Sequence, residues 1–157
     1  MMTKEISILI GEMNDIYKGD PWYGESMREI LEDVNPKIVF DHPLPDAHCI
    51  AELLSHIIAW RRLVVRRLQG DDTFSVNQTE SFNWKLIDDN PATAWESLMQ
   101  ILDDEHRRLI LALEQSDDSL LDKEVAGRKY NFRHLLHHIV HHDIYHLGQI
   151  TLLKKQG

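Results

Sequence analysis

Six of the ten histidines of this chain fall between His134 and His146. They lie in the stretch NFRHLLHHIVHHDIYHLGQITLLKK, residues 131–155, whose apolar residues otherwise recur at the spacing of a buried amphipathic helix. On a wheel of about 100° per residue centred on His142, the residues Asn131, Leu135, His138, Ile139, His146, Gln149 and Leu153 all lie within about 60°. His142 and His146 therefore occupy one face, one turn apart, where leucines would be expected. That spacing puts two imidazoles side by side, as a helix does when it grips a single metal ion. Neutral imidazole is the commonest metal ligand, and three of them leave positions open for water or substrate. On zinc, an open position lowers the pKa of a bound water to about 7 or activates a bound thiolate.

A third inward histidine has to come from another element. His56 has Cys49, Leu53, Trp60 and Leu63 at helical spacing around it, so it sits in the middle of a core face. Alone, it reads as a hydrogen-bonded core residue; with His142 and His146 it completes a three-point metal set. His138, one turn before His142, is the rival ligand or a neighbour to the ligands. His106 falls on the apolar face of a third helix and reads more simply as a satisfied core histidine than as a ligand or proton carrier. Other chemistries fail on inspection. A zincin needs H-E-x-x-H, and the run here is His142-Asp143-Ile144-Tyr145-His146. A di-iron bundle needs two Glu-x-x-His motifs, and neither occurs. Nor is there a Ser-His-Asp order, a Gly-rich phosphate loop or a pair of cysteines. A mononuclear site is left.

Four long helices must position these residues. Residues 3–18 carry Ile6, Leu9, Ile10, Met13 and Ile16 or Tyr17 at helical spacing, ended by Gly19. The break GDPWYGES follows; its Trp22 and Tyr23 read as an apolar plug against the bundle rather than a pocket wall. A short helix over 25–33 leads to an extended stretch, 34–46, kept straight by Pro36, Pro43 and Pro45. Asp46 is the expected N-cap of the second long helix, which runs to about Gln69. A polar loop over 70–90 carries Phe82 and Trp84. The third long helix starts near Pro91 and turns Trp95, Leu98, Leu102, Leu109 and Leu113 inward. Asn131 caps the last helix, whose second stripe, Leu136, Val140, Ile144 and Leu147, faces either the chain's own helices or a second subunit. The expected fold is an all-α four-helix bundle forming one domain over residues 1–157, with crossover connections and a short extra helix.

Composition sets limits around this plan. The 157 residues suffice for one domain with a real core. A net charge of −9 gives the expectation that nucleic acid is not a partner. The one basic cluster, Arg61, Arg62, Arg66 and Arg67, reads as a solvated helix face. The lone Cys49 excludes an internal disulfide and fits a reducing compartment. The first residues lack the pattern of a signal peptide, and no apolar run reaches the ~20 residues of a membrane span. The expected location is cytoplasmic, with no membrane partner.

The ending LLHHIVHHDIYHLGQI resembles the C-terminal signature of the DinB/YfiT-like proteins, bacterial four-helix bundles regarded as metalloenzymes. HCIAELLSHIIAWRR is similar, more loosely, to their second-helix signature, and the likeness covers nearly the whole chain. The resemblance implies metal ligation by one histidine of the second helix and by the H-x-x-x-H of the last. Those positions fall on His56, His142 and His146, the set that the wheels favour. It further implies a homodimer, a divalent metal cofactor (zinc or nickel first, iron or manganese next), and a small-molecule substrate with a low-molecular-weight thiol. The activity it suggests is that of a thiol-dependent S-transferase or isomerase acting on small electrophiles. The alternatives are a non-catalytic bundle in which the ion ties two helices together, or a metal-dependent hydrolase. Candidates for the catalytic acid or base are His138, Glu52, Tyr145 and His106.

Overall fold

The computed structural model describes residues 4–76 and 90–156. Among the described residues there are five α-helices: α1 (Lys4–Lys18), α2 (Met27–Glu32), α3 (Ile50–Leu68), α4 (Pro91–Glu114) and α5 (Phe132–Leu153). Short 3₁₀ turns at Pro36–Ile38, Asp118–Leu120 and Lys154–Gln156 join or end them. Among the described residues there is no strand, only an isolated bridge between Glu124 and Asn131. The chain is the all-α bundle that its periodicity predicts.

The helix ends have local causes. Asn131 caps α5 through a bond from the His134 N–H to its side chain, 3.0 Å. Ser26 and Glu29 form a reciprocal capping box at α2. Asn90 accepts from two N–H groups at the start of α4, with Pro91 in the first turn where no donor is needed. The second long helix departs from expectation. Asp46 lies in a turn, and α3 begins at Ile50 with Cys49 at the N-cap. The loop itself meets the early donors: Val39 O accepts from the Ala51 N–H at 2.9 Å, and the Glu52 carboxylate accepts from the Cys49 N–H at 3.2 Å.

Two core clusters fix the helix directions. At one end, Tyr17, Ile50–Ile58, Trp95–Leu102 and Leu147–Leu153 supply the apolar side chains. At the other, Ile6–Met13, Val64, Val65, Leu109, Leu113 and Phe132–Ile139 supply them. So α3 and α4 run in the same direction, opposite to α1 and α5. Residues 69–90 connect α3 to α4. Residues 77–89 of that connection, with Phe82 and Trp84, lie outside the described residues. The 34–46 stretch crosses the end of the bundle, its 3₁₀ turn packing on α4.

α3 is the central helix, buried on nearly every side except a half-buried stripe of Glu52, His56 and Trp60. That corrects the reading of the arginine cluster. Arg61 and Arg67 are 2% and 8% exposed, so only Arg62 and Arg66 point outward. Arg67 holds the following loop by bonds of 2.7 Å to the carbonyls of Asp71 and Phe74. Trp22 is fully exposed and plugs nothing. On α5, Leu136 and Leu147 are buried while Val140 and Ile144 are half-buried, so the chain's own helices cover most of the second stripe.

Candidate metal centre

The stripe 52–56–60 of α3 faces the 142–146–149 edge of α5, and three histidines meet there. His142 Nε2 stands 3.1 Å from His56 Nε2, and ring centroids are 5.0 Å (His56–His142), 4.7 Å (His56–His146) and 4.5 Å (His142–His146) apart. One ring nitrogen from each of the three lies within 4.8 Å of the others. Ligands about 2.0–2.1 Å from a tetrahedral ion stand about 3.3–3.4 Å apart. The gap between His56 and His142 is thus already close to that of two ligands on one ion.

The remaining ring nitrogens show how the imidazoles are set. His146 Nδ1 pairs with Gln149 Oε1 at 2.6 Å, which makes Nδ1 the protonated nitrogen and leaves Nε2 with its lone pair. His142 Nδ1 is buried without a hydrogen-bond partner, 3.8 Å from Asp143 Oδ1, which is buried and unpartnered too. The pair has the order, at a longer distance, of the carboxylate–histidine arrangement usual behind metal ligands. Trp60 borders the centre, its ring 5.6 Å from that of His142, and its buried indole N–H lacks a partner among the described residues. Burial, then the charges of the neighbouring histidines, lowers the pKa of His56 to about 4. Burial lowers that of His146 as well, against the opposing bond to Gln149.

Asp143 is the residue that sequence reasoning missed. It is 2% exposed and lies at the middle of the buried face of α5, flanked by Leu136, Ile139, Leu147 and Ile150. The inward face is therefore centred about 100° round from His142, and the two histidines sit at its margin. Arg61 crosses the core to meet Asp143, with Nε and Nη2 both 2.9 Å from the same oxygen, Oδ2. Its third nitrogen, Nη1, donates to His106 Nδ1 at 2.9 Å, and His106 Nε2 donates to Asn14 Oδ1 at 3.0 Å. His106 also stacks on Tyr17, whose hydroxyl bonds Asp103. It is a satisfied core histidine, neutral, with its pKa lowered to about 3 by burial and then by the Arg61 charge. The signal for Asp143 was present, since an acid at the centre of an apolar face requires a buried cation.

The other candidates divide by position. His138 is exposed, bonded to the His134 carbonyl at 2.8 Å and stacked on the His134 ring, so it does not join the three-histidine cluster. Tyr145 is 66% exposed with its ring edge-on to His146 at 5.0 Å, at the rim of the site. Glu52, one turn before His56, is held by His42, His48 and the Cys49 N–H. Burial raises its pKa, but those bonds outweigh it and keep the carboxyl below its ordinary value.

The DinB superfamily model matches residues 24–150. The chain belongs to the DinB superfamily. No curated protein matches it. Among solved structures it is similar to the colibactin self-resistance protein ClbS, solved in complex with a double-stranded DNA. The TM-score is 0.66 at 18% identity, covering 96% of this chain and 95% of that one. At that identity the likeness shows a shared DinB fold. It also corrects the expectation that nucleic acid is excluded as a partner, because a protein of this fold is seen on duplex DNA. Net charge is a whole-chain sum, whereas phosphate contacts are made by a few locally placed side chains. Among the described residues no helix is long and apolar enough to cross a membrane.

Proposed function

We propose that this DinB-superfamily chain binds one divalent ion through His56, His142 and His146 and uses it to activate water or a low-molecular-weight thiol toward a small electrophile. The supporting observation is the approach of three imidazole nitrogens from two helices to within 4.8 Å, with two of them 3.1 Å apart. Three neutral nitrogen donors suit zinc or nickel, and admit iron or manganese. An ion with three protein ligands and an open position supplies Lewis acidity that lowers the pKa of a bound water or thiol. The chain's own residues do the rest. Gln149 turns His146, Asp143 stands behind His142, and the core packed around α3 holds His56 against both. Tyr145, at the rim of the centre, is the acid–base candidate this reading favours. Glu52 is engaged by His42 and His48, and His106 and His138 are bonded elsewhere.

Two measurements test the reading. Metal analysis of protein purified without a histidine tag is expected to show a divalent ion at the three-histidine centre, so that His142→Ala or His146→Ala holds one ion per chain fewer than the wild type. A screen pairing low-molecular-weight thiols or water with small electrophiles is then expected to show turnover that the same substitutions abolish. An ion bound without any turnover would support the non-catalytic reading, in which the metal ties α3 to α5. Duplex DNA belongs in the same binding screen, since ClbS has been seen on it.

A further inference from the structure

We infer that the loop before α3 and the first turn of that helix form a second divalent-cation site, built from His42, Cys49 and Glu52 with His48 as a fourth donor. One ligand atom each from His42, Cys49 and Glu52 lies within 4.8 Å of the others. His42 Nε2 is 3.0 Å from Glu52 Oε1, and His48 Nδ1 is 2.8 Å from Glu52 Oε2. Donors on a tetrahedral zinc stand about 3.3–3.4 Å apart, so the two histidine–carboxylate pairs are already near ligand spacing, with Cys49 Sγ within 4.8 Å of the His42 and Glu52 donors.

Capping alone does not explain this arrangement. Glu52 needs one oxygen to hold the Cys49 N–H, at 3.2 Å. Yet two histidines, 46% and 71% exposed and free to turn to solvent, converge on the same carboxylate. The fourth group, Cys49, is 1% exposed and stands at the N-terminus of α3, where the backbone N–H groups favour a thiolate. Without a cation, burial pushes the thiol pKa up. On binding, the S–H proton leaves to solvent as the sulfur–metal bond forms. Thiolate and carboxylate together then balance a doubly charged ion, with one or two neutral imidazoles completing a donor set suited to zinc. Glu52 and His56 are one helical turn apart, about 5–6 Å between Cβ atoms. The site is therefore the immediate neighbour of the three-histidine centre, but shares no ligand with it.

Cys49 is the chain's one cysteine, which gives a specific readout. The full-length, tag-free protein is titrated with cobalt(II), and the thiolate-to-cobalt charge-transfer absorption is followed in the near ultraviolet. The wild type is expected to take up two ions per chain and to show the band. His142→Ala, which removes a ligand of the other centre, should retain the band and lose one ion. Cys49→Ser should lose the band and one ion, while serine, a better N-cap than cysteine, keeps the helix start intact. Glu52→Gln and His42→Ala should lose the band with unchanged helical circular dichroism. Absence of the band in the wild type at saturating cobalt would overturn the inference. So would a band that survives both His42→Ala and Glu52→Gln. Loss of the three-histidine ion alone leaves this readout untouched, so failure of one site is distinguishable from failure of the other.

Discussion

Replacing Asp143 by Asn removes a charge at nearly constant volume and probes two roles at once. One oxygen of Asp143 takes both bonds from Arg61, at 2.9 Å each, while the other faces His142 Nδ1 at 3.8 Å. Arg61 and Asp143 are both 2% exposed, so the substitution leaves a cation buried without its counter-charge. Removing one partner of a buried pair costs about 3–5 kcal/mol. The lower end applies, because the amide oxygen still accepts from Arg61 and Nη1 keeps its bond to His106. A carboxylate behind a metal-bound histidine typically contributes about 10–100-fold in metal affinity, equivalent to about 1.4–2.8 kcal/mol. Urea unfolding in the presence of chelator reads the first loss. Competition for zinc against a chromophoric chelator, below the unfolding temperature, reads the second. Ser26→Ala is the control: it removes the α2 cap, costs about 1 kcal/mol, and should leave zinc affinity unchanged. An Asp143→Asn protein with wild-type zinc affinity would refute the orienting role. One with wild-type stability would refute the ion-pair argument.

On the metal centre itself, His134→Ala and His141→Ala, both on the exposed edge of α5, should bind the ion as well as the wild type does, by tag-free metal analysis. His106 gives a pH prediction. Its pKa is about 3 in the folded chain against an ordinary 6.5. Between those values the unfolded chain is protonated and the folded one is not, so stability is lost as pH falls through that window. From pH 7 to 5 the loss is about 2 kcal/mol, and it should shrink by that amount in His106→Gln, measured by urea unfolding at the two pH values. Tyr17→Phe removes the bond to Asp103 and should cost about 1 kcal/mol without changing metal content.

The fold was legible because its determinants are local. The expected inward residues of α1 and α4 are buried, since a single apolar stripe per helix admits one solution. Asn131 and Pro91 marked helix starts through chemistry that needs no partner elsewhere. The start of α3 was misplaced because tertiary contacts decide it. The Ala51 N–H is bonded by Val39, a residue that no local rule connects to a helix cap. The arginine run misled for a related reason. Four cations within seven positions read as solvated, and a period of 3.6 necessarily turns Arg61 away from Arg62. Only a known partner acid could have shown which of them went inside.

That partner also explains the misread wheel on α5. With Asp143 counted as polar, the apolar residues of the helix fall into two stripes, and His142 appears to centre the first. Once Arg61 neutralises Asp143, the stripes merge into one buried face centred on Asp143, and His142 and His146 move to its edge. The edge is where a ligand histidine is useful. At the centre of the face it would be sealed in apolar packing, with no position open to water or substrate. At the margin it meets His56, itself on the half-buried stripe of α3. The three nitrogens thus converge at the half-buried margin of the helices rather than in the core. The buried ion pair sets the rotation of α5 against α3. Placing Asp143 against Arg61 turns its chain neighbour His142 toward His56, and the geometry of the candidate centre follows from a contact that is no part of its ligand set.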